Sequence, residues 1–244
     1  MIGIIGGSGF YSFLNEYKEI EIETPYGKPS DKIALSEIDD VEVAFIPRHG
    51  KNHTFPPHLV PYKANLYAFK MLNIDTVLTT TACGSLRKDY QPGDFVVVDQ
   101  FVDRTWGRDD TFFGIGNVKH TSMANPYDEH LREIAIDVLK YLGYRFHEKG
   151  TCVVIQGPRF STKAESKWFS ESGFDVIGMT QYPEVALANE LGLRYLNITL
   201  VTDYDAGLED DPNILPVSHE EVLKVFSDNV EKLKKVIKEI IKRL

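Results

Sequence analysis

The chain opens Met1-Ile2-Gly3-Ile4-Ile5-Gly6-Gly7-Ser8-Gly9. Residues 2–5 are apolar, and the run stops at a cluster of glycines. This is the pattern of a buried strand that runs into a glycine loop. Outward from it, Val41-Glu42-Val43-Ala44-Phe45-Ile46 reads as the next strand and ends at Pro47. Residues 76–80, 95–98, 151–155 and 195–201 are further strand candidates, rich in β-branched side chains. Helical stretches lie between them. Residues 62–72 follow Pro61, residues 129–142 stop at Gly143, residues 162–172 at Gly173 and residues 183–191 at Gly192. In the last stretch Val222, Phe226, Val230, Leu233, Ile237, Ile240 and Leu244 recur at spacings of three and four, and Ser218 with Glu221 fits a capping box. Alternating strands and helices predict an α/β layer fold. No linker divides residues 1–244, so one domain is expected. Residues 106–126 lack periodicity and carry Gly107, Gly114 and Gly116, which marks a long functional or interface loop.

Composition narrows the function. The 244 residues hold 27 lysines and arginines against 36 aspartates and glutamates, a net charge of −9. A broad nucleic-acid surface or an anionic-membrane surface needs the opposite sign. No apolar run approaches the ~18 residues of a membrane span. The first residues have no basic leader, and the only cysteines are Cys83 and Cys152. One disulfide is the most that count allows, and a reducing cytoplasm is the expectation. Several familiar motifs fail. The glycines at 6, 7 and 9 miss the dinucleotide spacing, and Pro29 after Gly27-Lys28 breaks a phosphate loop. His49, His53 and His58 are interrupted by Pro56 and Pro57, so metal ligation is not expected.

Four segments after strands carry groups suited to an anion or to chemistry. Gly6-Gly7-Ser8-Gly9 offers free backbone amides and a hydroxyl. Pro47-Arg48-His49-Gly50 sets a guanidinium beside an imidazole, and arginine grips phosphate in a fork. In Thr79-Thr80-Thr81-Ala82-Cys83-Gly84-Ser85 the Thr81 hydroxyl and the Ala82 amide are the candidate donors. Asp203-Tyr204-Asp205 places two carboxylates at i and i+2, on one side of an extended chain. Such a pair supplies one acid and one acceptor once burial raises a pKa. A tight turn, a surface salt bridge, ordinary strand threonines and a solvated acidic turn are the bland readings of these four segments.

Taken in order, these segments resemble a known family. Thr24-Pro25-Tyr26-Gly27-Lys28-Pro29-Ser30-Asp31, Gln91-Pro92-Gly93-Asp94, Asp99-Gln100-Phe101-Val102-Asp103-Arg104-Thr105, Gly157-Pro158-Arg159-Phe160-Ser161, Met179-Thr180 and Pro183-Glu184-Val185 add to them. Nearly end to end the chain resembles the S-methyl-5′-thioadenosine phosphorylase family, in the trimeric purine nucleoside phosphorylase superfamily. The resemblance implies an α/β fold with a mixed central sheet flanked by helices. It also implies a homotrimer or a dimer of trimers, and phosphorolysis of an N-glycosidic bond. Phosphate would be a co-substrate, with no cofactor and no metal. Ser8, Arg48, His49, Thr81, Ala82 and Thr180 resemble phosphate-site positions. Met179 resembles a ribose contact and Phe160 a base-packing position, while Asp203, Tyr204 and Asp205 fall in the purine-contacting segment. Asp203 is the expected general acid at purine N7, with a raised pKa.

Ser161 and Asp203 resemble the 6-aminopurine branch, which favours adenine. Val222 lies in the segment that lines the 5′ pocket. His219 departs from the small aliphatic residue common in the methylthio enzymes, so the expected 5′ specificity is broadened from methylthioadenosine toward adenosine. Two other readings stay open: a 6-oxopurine or methylthioinosine phosphorylase, and a non-catalytic nucleotide-binding module. The net acidity is compatible with all of these. A small enclosed site needs only Arg48, His49 and neutral donors to hold one anion.

Overall fold

The computed structural model describes residues 1–7, 9, 14, 16–208, 214 and 218–244; for Gly207, His219 and Glu221 it describes the backbone only. Ser8 and the side chains of His219 and Glu221, including the anticipated capping box, therefore lie outside the described residues.

Among the described residues, eleven strands form one mixed sheet. They are β1 (Ile2–Gly6), β2 (Tyr17–Ile20), β3 (Ile33–Ile38), β4 (Val41–Pro47), β5 (Thr76–Ser85), β6 (Phe95–Val97), β7 (Gln100–Arg104), β8 (Phe146–His147), β9 (Thr151–Ile155), β10 (Val176–Gly178) and β11 (Arg194–Tyr204). The helices are α1 (Tyr62–Met71), α2 (Glu129–Leu142), α3 (Lys163–Glu171), α4 (Gln181–Glu190) and α5 (His219–Ile241). Along one path the order is β2-β3-β4-β1-β5-β10-β9-β7, while β11 joins β5 to β6, and β6 pairs with β8.

Two apolar layers hold the helices on the sheet. α1 and α4 contribute Leu66, Phe69, Val185 and Leu187 to one face. α2 and α5 contribute Leu131, Leu139, Val236 and Ile240 to the other. The central strands alternate between the layers as a two-residue period requires: Val77 and Tyr195 point to the α1–α4 side, Leu78 and Leu196 to the α2–α5 side. Gly3 interrupts the apolar run of β1 because a Cβ there would lie 2.9 Å from the Phe69 ring. The glycine lets α1 approach the sheet.

Helix ends follow the sequence. Asp128 caps α2 by accepting from the Leu131 N–H, and Gly143 closes it in the left-handed conformation. Thr162 and Glu165 complete a capping box on α3. Residues 106–126 form neither helix nor strand beyond an isolated bridge between Gly114 and Asn117, as expected of a loop. Among the described residues no helix is long and apolar enough to cross a membrane.

β5 and β11 run further than the residues predicted for them. The small-residue stretch 81–85 reads as loop by composition, yet it pairs along β11 as far as Tyr204. On its other edge β5 has two partners in succession. β1 pairs with residues 77–79 and β10 with 84–85. Residues 80–83 lie between those partners, with a strand on one side only. This break in the sheet positions the site.

Candidate active site

A cavity of about 660 Å³ opens over the break, at the carboxyl ends of β1, β4, β5, β9, β10 and β11. Ligand crevices in α/β sheets form at such ends, where the strand order divides. One wall is polar and rigid. Arg48, just past β4, is almost fully buried. Its Nε–H and one Nη2–H donate to the two carboxylate oxygens of Glu184 at 2.7 and 2.8 Å, and an Nη1–H donates to the Thr80 carbonyl at 2.8 Å. A guanidinium has five N–H donors, so one remains on each terminal nitrogen, and the residue lines the cavity. Burial opposes its charge, but Glu184 outweighs that and holds its pKa above the ordinary arginine value. Glu184 also accepts from the Tyr195 hydroxyl at 2.7 Å.

His49 follows Arg48 on the cavity wall. Its Nδ1 lies 2.8 Å from the Phe55 carbonyl oxygen, and its ring stacks on His53 at 4.6 Å between centroids. Burial pushes its pKa down to about 4, with help from the Arg48 and His53 charges and against the hydrogen bond to Phe55.

The threonines of β5 divide by face. The Thr81 hydroxyl donates to Asn197 Oδ1 at 3.1 Å and lies 3.0 Å from the Thr199 hydroxyl, in a buried polar layer that also holds Thr79 and Gln181. Its proton is thus committed inward, although the residue still lines the cavity. The Thr80 hydroxyl lies on the opposite face; it is buried, lines the cavity and has no partner. Sequence reading passed over Thr80 in favour of Thr81. The two-residue strand period separates them but does not say which face meets a ligand. Ala82 is exposed on the cavity wall, and Thr180 lines it as the residue before α4.

The far wall carries acceptors. Asp203 Oδ1 accepts from the Thr202 hydroxyl at 2.7 Å. A Cβ on Gly84 would sit 2.9 Å from Asp203 Oδ2, so only glycine allows this carboxylate its place. Asp205 is buried; its Oδ2 and the Ser161 hydroxyl are buried polar atoms without a partner, and both residues line the cavity. Burial raises the pKa of Asp205, partly offset by the Ser166 hydroxyl, the Ala206 N–H and the nearby Ser161 hydroxyl, which faces this carboxylate without a close hydrogen bond. Phe160 and Met179 complete the wall between the two ends, with Val222 from α5. Tyr204 does not join them. Alternation turns it outward, where its hydroxyl reaches the Lys88 carbonyl at 3.3 Å.

Two residues without an expected role organise the site. Glu184 is one. The other is Arg108, on the long loop, which donates to the carbonyls of Gln156 and Met179, both at 2.9 Å, and to that of Tyr182. It ties the loop to the ends of β9 and β10. Cys83 and Cys152 are free and buried. β10 separates their strands. Their sulfurs nonetheless approach one another over Gly178, where a Cβ would lie 2.8 Å from Cys83 Sγ and 3.5 Å from Cys152 Sγ, and a thiol–thiol hydrogen bond joins them. Among the described residues no group of three or more metal-ligating side chains occurs.

A buried cationic fork and a buried carboxylate thus line one strand-end cavity of small-molecule size. The profile of the Phosphorylase superfamily matches residues 1–242, and the chain belongs to that family. Its similarity reaches particular members. It is 50% identical over 243 residues to the S-methyl-5′-thioadenosine phosphorylase of Pyrococcus abyssi, spanning 100% of this chain and 92% of that one. It is 48% identical over 244 residues to the purine nucleoside phosphorylase of Streptomyces coelicolor, spanning 97% and 86%. Among solved structures, a variant of the adenosine/methylthioadenosine phosphorylase of Schistosoma mansoni in complex with methylthioadenosine superposes with a TM-score of 0.92 at 38% identity. That match covers 99% of this chain and 90% of the other.

Proposed function

We propose that the protein catalyses phosphorolysis of S-methyl-5′-thioadenosine to adenine and 5-methylthioribose-1-phosphate, and that it also accepts adenosine. The observation that carries this reading is the polarity of the cavity. One end presents a buried guanidinium with N–H groups left over and a strand edge without a partner. The other presents a buried carboxylate oxygen, Asp205 Oδ2, and the Ser161 hydroxyl, neither with a close hydrogen-bond partner. The full-length identity to methylthioadenosine phosphorylases supports the substrate, and the adenosine/methylthioadenosine relative supports the broader 5′ specificity.

In this reading phosphate is the co-substrate. Arg48, His49, Thr180, Ala82 and the strand edge at residues 80–83 hold it close to C1′, and Ser8 belongs to the same group. Phosphate is a weak nucleophile, so the gain comes from position. Its negative charge also stabilises the sugar as that acquires oxocarbenium character. Met179 borders the ribose and Phe160 packs on the base. The C1′–N9 bond breaks as a phosphate oxygen bonds C1′. Asp203 gives a proton to N7, so the purine leaves neutral. Asp205 and Ser161 take hydrogen bonds from the purine edge. An unpaired acceptor favours the 6-amino group over a 6-oxo group, because the wrong edge leaves buried atoms unpaired.

Exposed Trp106, Ile115, Val118 and Trp168 support the homotrimer or hexamer that the resemblance implies. The two free thiols support a cytoplasmic setting. The test is purine release from methylthioadenosine, adenosine, methylthioinosine and inosine, with and without phosphate. Adenine release that requires phosphate is expected. Release of hypoxanthine alone would move the protein to the 6-oxopurine branch, and no release from any substrate would favour a binding module.

A further inference from the structure

The wall that faces an anion contains one group of the wrong polarity. His49 Nδ1 stands 2.8 Å from the Phe55 carbonyl oxygen. A carbonyl has no hydrogen to give, so Nδ1 must carry one. The ring is largely enclosed, lies next to the Arg48 guanidinium and stacks on His53, and with a pKa near 4 it is neutral at pH 7. A neutral imidazole with hydrogen on Nδ1 has only a lone pair on Nε2. Nδ1 is occupied and the ring lines the cavity, so Nε2 is the edge left for a ligand.

The anion end therefore holds an acceptor among donors. An oxygen without a hydrogen would be repelled by Nε2, while the N–H groups of Arg48 and the strand edge attract such oxygens. One kind of oxyanion satisfies both demands: one that carries its own O–H. Inorganic phosphate retains a P–O–H at neutral pH, and sulfate has none. We propose that His49 selects phosphate by accepting a hydrogen bond from the phosphate's own hydroxyl. That contact turns the protonated oxygen toward Nε2 and leaves the charged oxygens for Arg48 and for C1′. His49 is thus a specificity-determining residue for the co-substrate. This inference rests on the phosphorylase reading.

Calorimetric titration of the ligand-free protein with phosphate and with sulfate tests it at pH 7.5 and fixed ionic strength. A hydrogen bond to a charged group corresponds to ~10- to 150-fold in affinity, so phosphate should bind at least ~10-fold more tightly than sulfate. In His49→Ala the two affinities should come within about threefold of each other, mainly because phosphate binding weakens. Nitrogen NMR of the unaltered protein provides a check that does not depend on the variant folding. It should show His49 with a protonated Nδ1 and an unprotonated Nε2. Equal wild-type affinities, a preference that survives His49→Ala, or an imidazolium signature would each overturn the inference. In those cases phosphate still binds and phosphorolysis still runs. If phosphate fails to bind and supports no purine release, the phosphorylase reading falls and the inference falls with it.

Discussion

The two ends of the cavity are built on opposite plans. At the Arg48 end, buried polar groups are largely paired. Glu184 holds Arg48, Tyr195 holds Glu184, and Thr79, Thr81, Asn197, Thr199 and Gln181 form a connected layer beside them. At the Asp205 end, one buried carboxylate oxygen and the Ser161 hydroxyl are left without close partners. The difference teaches how each end meets its ligand. A buried cation is unstable unless its counter-charge and hydrogen bonds are built in. A neutral ligand edge is recognised by leaving protein acceptors incomplete, so that the ligand completes them.

The largest expected effects come from breaking each end separately. Asp203→Asn should lower kcat about 10²- to 10⁴-fold, the range of general acid–base catalysis. The KM for phosphate should hardly move, which steady-state kinetics with varied phosphate will show. A comparable rise in the phosphate KM would mean that the two ends are not distinct. Glu184→Ala strikes the other end. It leaves Arg48 charged and buried without its partner, so chemical denaturation should show a loss of about 3–5 kcal/mol. The phosphate KM should rise as the guanidinium loses its fixed orientation.

A smaller effect concerns pH. Burial raises the pKa of Asp205 in the folded chain. The folded protein then keeps this proton above the ordinary aspartate pKa while the unfolded chain loses it. Stability from this group is therefore greatest at acid pH and falls as pH rises through the folded pKa. Asp205→Asn should flatten that part of the curve in the ligand-free protein, as thermal melts between pH 4 and 8 will show. An unchanged slope would deny that this carboxyl is strained by burial. The smallest effect on stability is expected at Thr80. Its hydroxyl has no partner in the ligand-free protein, so Thr80→Val should stay within about 1 kcal/mol of the parent or stabilise it. Phosphate binding should nevertheless weaken measurably. Unchanged binding would remove Thr80 from the anion end.

Much of the architecture was legible from local chemistry. The span Glu129–Leu142, with its Gly143 terminus, is recovered as predicted, and Asp128 caps its start. β2, β3, β7, β8 and β10 are not among the predicted strands, and the signals of two of them are plainly weak. β2 is an exposed Tyr-Lys-Glu-Ile, and β10 is only three residues long. Their pairing partners, rather than their own propensities, make them strands. The site was legible as a set of segments and less so as a set of roles. Arg48, His49, Ala82, Thr180, Phe160, Asp203 and Asp205 converge on one cavity. Glu184 reads locally as a helix residue, and only its contact with Arg48, 136 positions away, gives it a function. Thr81 reads as a donor until its hydroxyl is found committed to Asn197. Tyr204 sits between two site residues, yet strand alternation turns it away from the cavity.

The central claim is that one cavity holds phosphate at its Arg48 end and purine at its carboxylate end. A crystal structure of the protein with phosphate and adenine together tests it most directly. The account predicts a tetrahedral ion on Arg48 and the unpaired edge of β5, with the adenine ring against Phe160 and its amino group on Asp205. Adenine seated against Arg48, or phosphate at the carboxylates, would contradict it.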